Sequence, residues 1–200
     1  MDNNEVTAPS IVRLKQFINS SLVIDYPLYV SNQKYGVKIN FDKLNDMTAK
    51  NVARCILDQL LHQKGFWVCE YGSNSVKALQ EKGFLSASPI VTEIISHKSR
   101  TVDPAWFEYD VGAISCNYVT KSSFSFDVYI SYAFRLDFLS NTIFLIDDEQ
   151  KLAIHIYDRR GMDVVSTDRR LLEHLYSDFH EYIIRSFAKT GESTGDGSPS

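Results

Sequence analysis

The segment IYDRRGMDVV, Ile156 to Val165, sets two acids, two arginines and a glycine inside a run of apolar residues. His155 stands just before it and Tyr157 within it, so imidazole, phenol and carboxylates crowd into the nine positions 155–163. Those groups move protons, and His155, Tyr157, Asp158 and Asp163 are the candidate catalytic set of a small hydrolase or nuclease-like enzyme. Arg160 and Asp163 are candidate binding residues, as an ion pair across a turn or with Arg160 reaching an acid on the last helix. Turn chemistry explains the same letters more simply. Asp158 to Gly161 fits a type I turn with Asp first and Gly fourth, the glycine tolerating the positive φ that a bulge demands.

Other constellations are looser. Asp58 and His62, and His174 and Asp178, lie four apart on expected helices and so share a helical face. A metal site needs a third ligand, and none is evident; exposed ion pairs are the commoner use. Glu108 and Asp110 alternate within an aromatic stretch, on one strand face, whereas glycosidase carboxylates converge from separate elements. Trp106 and Tyr109 in that stretch suit a protein-binding surface, because large aromatics anchor interfaces. Walker, dinucleotide-binding, GxSxG and HExxH patterns are missing, so no metal or cofactor is expected.

The 200 residues carry a formal net charge of −4, with 44% hydrophobic and 23% charged residues. That length buries a full core in one domain, and the mild acidity offers no footprint for a phosphate backbone. No nucleic acid and no membrane are expected as partners. Cys55, Cys69 and Cys116 are an odd number at wide spacing, among apolar neighbours, which fits packing in a reducing compartment. The N-terminus lacks a basic and apolar leader, and no apolar run approaches a membrane span. The expected location is the cytoplasm.

The elements that must position these residues follow from period and punctuation. Residues 1–8 and the Gly/Ser-rich 189–200 are expected to be disordered, with 9–188 a single α+β domain. IVRLKQFI fits a short helix, and YPLYVS and YGVKINF fit two strands around an NQKYG turn. Thr48 is a candidate cap for a helix to Lys64 with Val52, Ile56, Leu57, Leu60 and Leu61 as its stripe. FWVCEY, PIVTEIIS and WFEYDVGAISCNYV supply further strands, and NSVKALQEKG a helix closed by Gly83. FSFDVYISYAF alternates apolar residues from Phe124 to Phe134, the period of a half-buried strand. NTIFLID, DDEQ and KLAIHIY form a hairpin; there His155 and Tyr157 share one face, toward solvent or a cleft. After the Tyr157–Met162 hairpin, Thr167 or Asp168 opens the last helix. Clustered strands with short turns favour a mainly antiparallel sheet with helices packed on one face.

IYDRRGMDVVS followed by DRRLLEHLYSDFHEYI resembles the C-terminal signature of bacterial proteins catalogued as domain of unknown function 3885. Tyr157, Asp158, Arg160, Gly161, Asp163, Leu175 and Tyr176 match its Tyr-Asp-Asp-Arg-Gly-x-Asp pattern and the Leu-Tyr pair of the following helix. Arg159 departs from it, standing where the pattern has a second acid. The likeness is clearest over residues 142–185. It implies a bacterial setting and no established activity.

The function expected is a non-catalytic protein-binding module, in concrete form an immunity protein that neutralises a cognate toxin. The alternatives are the small enzyme built on the 155–163 hairpin and a small-ligand sensor with its cavity between sheet and helices. Neither the oligomeric state nor the identity of a partner follows from the sequence.

Overall fold

The computed structural model describes residues 11–18, 28, 32–61, 64–71, 76–97, 112–136 and 141–185. In chain order these form α1 (Ile11–Ile18), β1 (Gly36–Asn40), α2 (Asp46–Leu60), β2 (Phe66–Tyr71), α3 (Val76–Glu81) and β3 (Val91–His97). Then follow β4 (Gly112–Val119), α4 (Phe126–Ala133), β5 (Ile143–Asp147), β6 (Leu152–Asp158), β7 (Gly161–Ser166), α5 (Arg169–Phe179) and β8 (Ile183–Arg185). The expected strand at YPLYVS lies largely outside the described residues, as do both termini and the Trp106–Asp110 aromatics.

The strands build one eight-stranded sheet in the order β3-β4-β2-β5-β6-β7-β1-β8, every adjacent pair antiparallel. This is the α+β architecture expected. Helices α2 to α5 cover one face, where Ile56, Leu57, Phe126, Tyr129, Leu172 and Leu175 meet Val68, Leu145, Ile154, Ile156 and Val164. The other face is covered too: Leu14, Phe17 and Ile18 of α1 and Leu28 pack on Trp67, Cys69, Ile114, Cys116, Phe144 and Ile146. The central strands are therefore buried on both sides, and β5, β6 and β7 are buried along their whole lengths.

Local chemistry sets the boundaries. Helix α2 starts before Thr48: Asn45 is its cap, its side chain accepting from the Thr48 amide at 2.9 Å, with Asp46 in the first turn. It ends at Leu60 rather than Lys64. Gly83, at φ +77°, closes α3, and the Phe84 amide donates to the Leu79 carbonyl in the Schellman pattern. The NQKYG turn is a 3-10 turn, Gln33–Tyr35. Asp147 orders the β5–β6 hairpin by accepting from the Glu149 and Gln150 amides. Asp168 caps α5 as expected, accepting from the Arg170 amide at 2.9 Å, but the helix stops at Phe179 and the chain re-enters the sheet as β8.

One element changes type. The alternating segment 124–134 is not a strand; Phe126–Ala133 is α4. Phe126, Tyr129, Ile130 and Ala133 face the core, the i, i+3, i+4, i+7 set of a helix, while Val128 of the alternating set is partly exposed. A segment this rich in apolar residues satisfies both periods, and the tertiary environment selects the helical one: Phe66, Phe84 and Phe124 ring the α4 aromatics.

Candidate functional site

Register decides which side chains meet. Lys38 of β1 lies opposite Asp163 of β7, which lies opposite His155 of β6. The β5–β6 register continues this row to Phe144, whose ring stacks on His155 with centroids 4.6 Å apart. Phe144 lies opposite Cys69, Cys69 opposite Cys116, and Cys116 opposite Glu93. One cross-strand row thus carries lysine, two acids, histidine and two cysteines across the face that α1 helps to cover.

His155 and Tyr157 do share a face, but neither looks onto solvent. His155 is fully buried and Tyr157 is 4% exposed, because this face is itself a core. His155 Nε2 sits 2.8 Å from the Asn141 carbonyl oxygen. A carbonyl can only accept, so Nε2 carries the proton. Asn141 is held in turn: its side chain donates to the Ile156 carbonyl and accepts from the Ile143 amide. Burial pushes the His155 pKa down to about 4, opposed by the Asn141 contact and by Asp158, so the ring is neutral at pH 7.

Asp163 is also fully buried, and its Oδ1 lies 3.8 Å from Lys38 Nζ. Lys38 Nζ stands 4.5 Å from the Tyr157 ring centroid, a cation over an aromatic face. The expected Arg160–Asp163 pairing does not form, and Arg160 does not pair with an acid of α5. Arg160 turns back on Asp158, with Nε at 2.9 Å and Nη2 at 2.6 Å from Oδ2, while Asp158 Oδ1 accepts from the Arg160 amide at 2.7 Å. Arg160 lies in the two-residue loop between β6 and β7, whereas Asp163 is fully buried opposite His155 on the covered face.

Gly161 has a different reason from the one its turn position suggests. Its φ is not positive; a Cβ there would lie 2.1 Å from the Ile39 carbonyl oxygen and 2.4 Å from the Tyr157 hydroxyl. Close approach of β1 and Tyr157 excludes any side chain. Arg159 leaves the hairpin altogether, its Nε 2.5 Å from Asp46 Oδ1 at the start of α2. The hairpin tip is thereby tied to the loop between β1 and α2, where the Phe41 amide donates to the Arg160 carbonyl at 2.7 Å.

The family model described as Domain of unknown function (DUF3885) matches residues 39–186. The chain belongs to this family. The match extends the likeness seen at residues 142–185 back to β1, and it takes in α2 to α5 and the hairpin just described. Helix α1 and the start of β1 precede the matched span of the DUF3885 model. No curated protein and no solved structure matches the chain.

The remaining candidates resolve individually. Asp58 is engaged by Arg54 at 2.6 Å; Asp178 accepts from Gln59 of α2, and His174 Nδ1 contacts the Arg170 carbonyl. His62 and the Glu108, Asp110, Trp106 and Tyr109 positions lie outside the described residues. Cys55 is exposed, unlike Cys69 and Cys116. Lys38, Asn141 and Phe144 complete the His155 environment without having been singled out in the sequence. Lys38 carries a faint signal, a charge between the core positions Val37 and Ile39; register alone pairs it with Asp163. No helix among the described residues is long and apolar enough to cross a membrane.

Proposed function

We propose that this DUF3885 chain is a non-catalytic protein-binding module of the bacterial cytoplasm, in its sharpest form an immunity protein that occludes a cognate toxin. The observation that carries this reading is the sheet edge at β3. Seven residues long, β3 ends the sheet, and its described strand neighbour is β4 alone. Ile94 on it is 70% exposed and the adjoining Ile90 47% exposed. Proteins usually blunt such an edge with charge, proline or a bulge; β3 carries Glu93, paired with Lys15, yet the exposed aliphatic side chain at its centre suits the addition of a partner strand. At the opposite edge β8 has three residues and an irregular register, a poor template by comparison.

The 155–163 hairpin supports the same reading from the other side. A general base must reach the proton it takes, and His155, Asp158 and Asp163 are buried in contacts that the fold itself uses. Mild acidity further suits a basic partner.

The test is binding between this chain and the product of the gene beside its own, with a growth assay if that product is toxic. Ile94→Asp, an exposed change that leaves the core untouched, is expected to weaken binding at least about tenfold and to abolish protection. His155→Gln is expected to bind as the parent chain does. If Ile94→Asp binds normally, the edge is not the docking surface; if the neighbour does not bind at all, the immunity form of the proposal fails.

A further inference from the structure

The geometry points to a modification site in the sheet: Cys69 and Cys116 are a thiol pair placed to close into a cross-strand disulfide under hydrogen peroxide. The two are direct partners in the β2–β4 ladder and lie on the same face. Opposed residues of an antiparallel pair have Cα atoms about 4.5 or 5.5 Å apart, and both spacings fall within the disulfide range. Their sulfurs are 3.0 Å apart already. Bond formation at about 2.05 Å therefore asks for roughly 1 Å of movement, within the reach of χ1 adjustment and with no change of strand register.

The chemistry balances with peroxide as the oxidant. One sulfur attacks the O–O bond; an S–O bond forms, and water leaves once the thiol proton is transferred. The second sulfur then attacks the resulting sulfenic acid, the S–S bond forms, the S–O bond breaks and a second water departs. Two electrons pass from the thiol pair to one peroxide. Hydrogen peroxide is small enough to enter where bulkier disulfide oxidants are excluded. Both thiols are fully buried beneath the core that includes Leu14, Phe17 and Ile18 of α1, and burial holds the Cys69 thiol well above its ordinary pKa. The closed sheet thus protects the pair, and oxidation proceeds as this face opens. Cys55, exposed on α2, has no cysteine beside it among the described residues and cannot substitute within the chain.

The full chain carrying Cys55→Ser isolates the pair. After treatment with hydrogen peroxide, quenching, denaturation and N-ethylmaleimide, the expected product is lighter by two hydrogen atoms and takes up no maleimide. The untreated chain takes up two. Closing the loop from residue 69 to residue 116 is also expected to raise Tm by roughly 5–10 °C, reversibly with dithiothreitol. Two maleimides after treatment, oxygen addition without hydrogen loss, or disulfide-linked dimers would each overturn the assignment.

Discussion

His155 ties the stability of the fold to pH. Its pKa falls from the ordinary 6.5 to about 4 in the fold because burial penalises the imidazolium. Between those values the unfolded chain binds a proton that the folded chain refuses, so this contribution to stability is complete above pH 6.5 and is lost as pH falls toward 4. The loss is about 3 kcal/mol at the foot of that window. Urea midpoints measured across it should fall for the parent chain relative to His155→Gln, which keeps a donor for the Asn141 carbonyl; parallel curves would mean that His155 is not buried neutral. In the hairpin, Asp158→Ala removes the turn amide contact and the Arg160 fork, an expected cost of about 1–2 kcal/mol. Gly161→Ala should cost more, above about 2 kcal/mol, because backbone of β1 must move. Arg159→Asp, which restores the acid of the family pattern, loses exposed contacts to Asp46 and the Leu44 carbonyl and should leave Tm within about 2 °C. Thermal melts of the three variants check that order.

Whole elements show where the sequence was legible. The two hairpins, the cap of α5 and the close of α3 were readable because their causes are local: an Asp that accepts turn amides, an Asp before a helical stripe, a Gly at positive φ. Helix α4 was not, since Phe124 to Phe134 fits a period of two as well as one of 3.6 and only the surrounding aromatics decide. The burial of His155 was equally illegible. Alternation told that it shares a face with Tyr157, but Leu14, Phe17, Ile18 and Leu28, which join the core on that face, lie more than a hundred residues away in sequence. Gly161 was identified as necessary for the wrong reason, because a close approach by β1 leaves no trace in neighbouring residues. Helix α1 carries its own prediction. Arg13 reaches Asp148 and Glu149, both at 3.0 Å, and Lys15 reaches Glu93, so polar clasps at two points hold the helix over the second face. Arg13→Ala should lower amide-exchange protection in residues 11–18 while leaving β5 to β7 protected; unchanged protection in α1 would show that Leu14, Phe17 and Ile18 suffice to hold it.

In the molecule as a whole, His155, Asp158, Asp163, Cys69 and Cys116 are buried, while Ile94 is exposed on the edge strand β3. In this sheet with a core on each face, register sets Lys38, Asp163 and His155 in one row, with Lys38 Nζ 3.8 Å from Asp163 and the His155 ring held by the Asn141 carbonyl. The same burial that lowers the His155 pKa removes its ring from solvent. Among the described residues, β3 ends the sheet with an exposed aliphatic side chain at its centre, and the proposal rests on that edge. Isothermal titration of the neighbouring gene's product into this chain tests that claim most directly. Saturable binding that survives His155→Gln and is weakened at least about tenfold by Ile94→Asp is expected. Binding lost in His155→Gln chain that is folded, and kept in Ile94→Asp, would contradict it and return attention to the buried row.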